Sequence, residues 1–130
     1  MNASLALRII AATGMLAWVA AAVANAMEAS LLMVTWLSFV SAPYLLALVT
    51  AWAKDEFMGA MLASAIISLA AQIYVQVELY LAPPDGQKGF VVFFLVFAQT
   101  LVVLLAAACA EALESHRKNR AERAGSDGAR

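Results

Sequence analysis

Amides and carboxylates set inside long apolar runs are the residues of this chain whose types could do chemistry. Ser68, Gln72, Gln76 and Glu78 stand in one such run and Gln99 in the next, across a break at Pro83-Pro84-Asp85-Gly86. A polar group left facing hydrocarbon is costly, so such side chains point inward, as hydrogen-bonding glue between helices or as the lining of a solute path. Gln72 precedes Ala82 by ten residues, and Gln99 follows Gly89 by ten. At about 1.5 Å per residue both amides lie roughly 15 Å from the turn, near the middle of a bilayer. Equal depth predicts that they bond each other or share one polar partner, with Ser68 and Gln76 as further intramembrane contacts.

Glu78 lies about one helical turn inside its apolar boundary, where an ionised carboxylate needs a partner. Lys88 and the amides of Gln76 and Gln87 are within reach along the sequence. Together with Asp85, Lys88 and Glu28, Glu78 forms a candidate outer-face polar site. It reads either as a proton or cation site or as a carboxylate that snorkels or pairs structurally with Lys88.

Other chemistries find no residues. His116 is the only histidine and lies past the last apolar run, so two histidines of one chain cannot clasp a haem inside the bundle. Cys109 is the only cysteine, which removes an intrachain disulfide and any multi-cysteine metal or iron–sulfur site. Flanked by alanines, it suits a small packing residue, with palmitoylation near the cytoplasmic face as the alternative. No HExxH, P-loop or GxGxxG pattern occurs, and Pro84-Asp85-Gly86 is a turn signal before it is a catalytic carboxylate. The sequence therefore predicts no enzyme, no cofactor and no metal.

The elements that must position these residues follow from composition. With 130 residues, 65% of them hydrophobic and 13% charged, and a mean hydropathy of +0.84, most of the chain has lipid as its solvent. Four apolar segments of spanning length, about 4–25, 29–52, 57–81 and 89–113, predict an all-α, up-down-up-down four-helix membrane bundle over 1–113. Residues 114–130 are expected to form a polar, partly disordered cytoplasmic tail. Helix formation continues past Leu113 through Glu114 and Lys118, and Gly125-Ser126-Asp127-Gly128 is expected to be irregular.

The first segment is rich in small residues, with Ala17–Ala21 and Ala20–Ala24 at the spacing that allows close helix approach. It also fits a secretory signal, with Arg8 as its basic region and Ala24-Asn25-Ala26 as a cleavage pattern after Ala26, which would leave three spans. In the second segment Pro43 predicts a kink around Phe39–Pro43, with Thr35, Ser38 and Ser41 placed to satisfy freed backbone groups. The kink serves as a hinge or as a static aid to packing. Trp52 ends the segment as an interfacial anchor.

Along the third segment Ala60, Ser64, Ser68, Gln72, Gln76 and Tyr80 recur every four residues. Each step overshoots a full turn by about 40°, so the whole stripe winds roughly 200° and cannot face one straight partner, whereas Ser68, Gln72 and Gln76 can. The fourth segment begins with Phe90, Phe93, Phe94 and Phe97 and ends in alanines, so its outer half is bulky and its inner half slim.

Five of the eight basic residues, Arg117, Lys118, Arg120, Arg123 and Arg130, lie in the tail. With four spans one side collects these together with Arg8 and Lys54, against Lys88 alone on the other. The positive-inside rule then places both termini in the cytoplasm. The basic tail suits anionic lipid head groups, whereas Glu111, Glu114, Glu122 and Asp127 interrupt the charge too often for nucleic acid.

At the last hairpin, Pro84-Asp85-Gly86-Gln87 followed by Phe90 to Leu95 and Gln99, with Pro43-Tyr44 in the second span, resembles a pattern in small uncharacterised four-span bacterial inner-membrane proteins. The resemblance implies a bacterial inner-membrane location and four spans, and no activity. The sequence as a whole leads to a multi-pass membrane protein of structural or accessory type, working with itself or a larger membrane partner. The rival expectation is a small-solute or ion transporter using the third helix's stripe and Glu78.

Overall fold

In lipid a backbone must satisfy its own hydrogen bonds, and long apolar segments meet that demand as helices. The computed structural model of the chain describes residues 2–24, 31–81 and 88–129. Four helices carry them: α1 (Ala3–Ala24), α2 (Leu31–Ala53), α3 (Met58–Leu81) and α4 (Lys88–Gly128), with one 3-10 turn at Asp55–Phe57 before α3. Each of the four contains a stretch long and apolar enough to cross a membrane. The chain is thus all-helical and has the make-up of a multi-pass membrane protein. Glu28, Asp85, the Pro83-Pro84 turn and the cleavage position after Ala26 lie outside the described residues, as do the side chains of Tyr80 and Lys88.

Among the described residues α2 and α3 each touch all the other helices, while α1 and α4 do not touch each other. Two apolar clusters fill the interior. One joins Leu7, Ala47, Ala51, Phe57, Met61, Ala65 and Val103. The other joins Ala11, Trp18, Val40, Tyr44, Leu95 and Val96. The outward surface is rich in Leu, Ile, Val and Phe, as a lipid-facing surface requires. Trp52, 85% exposed at the end of α2, has the exposure of an interfacial anchor.

The buried side of α1 is Leu7, Ala11, Gly14, Trp18 and Ala22. Of the small-residue pairs expected to pack, Ala17 and Ala21 are half-buried whereas Ala20 and Ala24 are exposed. Trp18 instead anchors α1 on α2, its ring edge-on to Trp36 at 5.4 Å between centroids. Pro43 is buried inside a continuous α2. Its ring removes the donor that would serve the Phe39 carbonyl. Ser38 donates to the Val34 carbonyl, 2.8 Å away, rather than to that one. Phe93 stacks on Phe39 of α2 and meets Phe94 and Phe97, while Phe90, Phe93, Phe94 and Phe97 all stay exposed on the outward surface.

α4 differs from expectation at its far end. It remains helical through Gly125, Ser126 and Asp127 to Gly128, 41 residues in all. Extending an existing helix costs far less than nucleating one. The Glu114–Lys118 pair, 2.5 Å apart and in the favourable i, i+4 order, supports the first turn beyond the apolar part.

Candidate functional site

The polar side chains of α3 converge with those of its neighbours where the two apolar clusters meet. Gln72 is fully buried. Its Nε2 donates to the Gly14 carbonyl of α1 at 3.0 Å. Its Oε1 accepts from the Tyr44 hydroxyl of α2 at 2.5 Å. Gln99 of α4 donates through Nε2 to the Ser68 carbonyl at 2.8 Å, one turn before Gln72 on α3. The Gln99 amide also lies against the Tyr44 hydroxyl. Four helices are therefore tied through one buried polar knot, in which Gln72 and Gln99 each have their own acceptor and Tyr44 adjoins both.

Gly14 makes the knot sterically possible. A Cβ at that position would sit 2.7 Å from the Tyr44 hydroxyl oxygen and closer still to the ring. The missing side chain lets the Tyr44 ring lie flush on α1, and with it brings the Gly14 carbonyl within reach of Gln72.

The rest of the stripe fans out as its winding requires. Gln76 is half-buried and donates to the Ala17 carbonyl of α1 at 3.5 Å, a long and weak bond. Ser64, buried, donates to the Met61 carbonyl of its own helix at 2.9 Å. Glu78 is exposed, turned away from the knot. The structure thus brings Ser68, Gln72 and Gln99 together and leaves Glu78 apart from them. Three buried atoms at or near the knot have no protein partner among the described residues: Trp18 Nε1, Ser68 Oγ and Gln99 Oε1.

The chain matches no family model, no curated protein and no solved structure. The likeness of its last hairpin to small four-span bacterial inner-membrane proteins therefore rests on a short motif alone.

A second cluster of charge sits where α3 begins and α4 leaves its apolar part. The Glu56 carboxyl is raised above its usual range because it shares a hydrogen bond with Glu114 and faces that residue's charge. Glu114 is held below the usual range, chiefly by Lys118 and then by the bond from Glu56. Lys118 is raised in turn by Glu114. Lys54 lies over the Phe57 ring, 4.8 Å from its centroid. Arg8 and Asp55 line one small pocket with Trp52 at this end of the bundle. No group of three or more His, Cys, Asp or Glu among the described residues is arranged to hold a metal ion.

Tyr44 and Gly14 are the residues that reading the sequence for polar spacing undervalued. Their signal was depth. Each stands near the middle of an apolar helix, at the level that the turn geometry assigns to Gln72 and Gln99.

Proposed function

We propose that the chain is a multi-pass membrane protein of structural or accessory type, working with itself or with a larger membrane partner, and that it carries no catalytic role. The observation that supports this reading is the double engagement of Gln72. Both ends of its amide are committed to other helices, which makes the polar stripe a fastening rather than an open path.

The four helices run up and down, with both termini on the cytoplasmic side of a bacterial inner membrane. In support, the order of residues through the two apolar clusters reverses from helix to helix: Leu7 then Ala11 on α1, Val40 then Ala47 on α2, Met61 then Ala71 on α3, Val96 then Val103 on α4. Arg8, Lys54, Arg117 and Lys118 then fall at one end, as the positive-inside rule asks of the cytoplasmic side. Arg117 and Lys118, the tail cations nearest the apolar part of α4, face anionic lipid head groups there. Nucleic acid is no partner in this reading.

The unpartnered atoms Ser68 Oγ and Gln99 Oε1 favour a second reading, a small-solute or ion transporter in which they line a path and Glu78 serves its outer mouth. Reconstitution separates the two. The accessory reading expects a stoichiometric partner in mild-detergent extracts and no solute flux in proteoliposomes. Flux that disappears in Gln72→Leu or Glu78→Gln would establish transport instead.

A further inference from the structure

A groove of about 690 Å³ runs along the outer junction of α3 and α4, from Ile67 and Val102 at membrane depth to Lys118 and Ala121. We propose that this groove is the interface through which the chain pairs with a second copy of itself. The proposal deepens the accessory reading and rests on the fixed orientation of the spans.

Shape and charge both point to a copy. Ala60 and Ala63 on α3 and Ala106 and Ala110 on α4 line the groove, so backbones can approach closely, which is a main source of helix association in lipid. Two copies inserted in one orientation relate by a two-fold axis along the bilayer normal, so every residue meets its counterpart's surroundings at its own depth. The rim then matters. Glu56 stands beside a second carboxylate, Glu114, whose charge is already answered by Lys118. Arg117 lines the same rim and has no ion pair among the described residues. Lys118 and Lys54 also act on Glu56, but it makes no ion pair of its own among the described residues, so one copy presents an unpaired acid and an unpaired base at the same level. The two-fold axis sets the Arg117 of each copy against the Glu56 of the other, which relieves the repulsion within each chain. A purely apolar acyl chain would fill the floor and leave that rim unmatched.

Cys109 is exposed and lines the groove, so the chain carries its own reporter. In membranes holding the full chain, a short bis-maleimide should join Cys109 to Cys109 and give a species of twice 13.8 kDa on denaturing gels. The yield should persist as lipid dilutes the protein. Moving the thiol to α1, as Leu16→Cys in a Cys109→Ser background, should abolish it, since Leu16 lies 67% exposed on a different face. Glu56→Arg and Arg117→Glu should each lower the dimerisation constant roughly two- to thirtyfold, the range of the two exposed ion pairs that a two-fold dimer contains, and the two together should restore it. Ala106→Phe should block pairing without relying on charge. Equal cross-linking from Leu16→Cys would overturn the proposal, because it would mean random collision. So would a monomer at every dilution, Cys109 shielded only when a different protein is present, or a double charge swap that fails to restore pairing. Reporter fusions read the orientation independently, so a correctly inserted monomer would refute the interface and leave the membrane reading standing.

Discussion

At the scale of single residues, the knot predicts coupled energetics. Gln72→Leu removes an acceptor from Tyr44 and Tyr44→Phe removes a donor from Gln72, so each should destabilise the bundle by about 0.5–2 kcal/mol, and the double variant should cost less than their sum. Reversible unfolding in bicelles measures both quantities, and strictly additive costs would show that the two groups do not meet. Gly14→Ala tests the steric half of the knot. Its added methyl meets the Tyr44 ring, an overpacking of about 1–3 kcal/mol that should shrink when Tyr44→Leu clears the space. The glutamines were legible from sequence because an amide in an apolar run has few reasons to be there. Tyr44 and Gly14 were less legible, because an aromatic with a polar tip and a small residue are both ordinary in a membrane helix. Their roles emerge only when two helices are brought together.

At the scale of the element, α3 shows what periodicity can and cannot say. Its four-residue repeat drifts around the helix, and the structure distributes the stripe accordingly. Ala60 and Ser64 reach the groove beside α4, Ser68 and Gln72 the interior, and Gln76 the backbone of α1. The drift was calculable from the sequence, but which neighbour each part would find was not, since that depends on how the helices are arranged. That there would be four helices of spanning length was legible because lipid demands long apolar stretches. The end of α4 was misread because Gly125 and Gly128 lower helix propensity without terminating a helix already under way. The junction of α3 with α4 carries its own prediction. In a pH titration followed by carboxyl-carbon NMR, Glu56 should titrate above the ordinary glutamate range and Glu114 below it, and Glu114→Gln should return Glu56 to that range. By sign, the Glu56 contact is complete at low pH and fades as pH climbs through its raised value, whereas the Glu114–Lys118 contact fades as pH falls through the lowered value of Glu114.

At the scale of the molecule, topology is the first matter to test. Reporter fusions after Lys54 and after Lys118 should both report cytoplasm and one after Asp85 the opposite face, whereas a periplasmic signal at Lys118 would reverse the proposed orientation. Truncation after Asn119 should leave the bundle folded, as thermal unfolding in detergent would show, because every described residue from Ser115 onward is exposed. The length of α4 has a further consequence, which is electrical. A helix of 41 residues is about 60 Å long, roughly twice the hydrocarbon thickness, so it leaves the bilayer as a rigid mast. If it rises along the bilayer normal, Arg117 and Lys118 sit within one Debye length of the lipid surface, about 8 Å at physiological salt, while Arg123 stands roughly 15 Å beyond Leu113 and is screened from it. The mast therefore sorts cations that look equivalent in sequence: those at its foot sense the lipid composition, and those near its tip are left to meet whatever diffuses through the surrounding water.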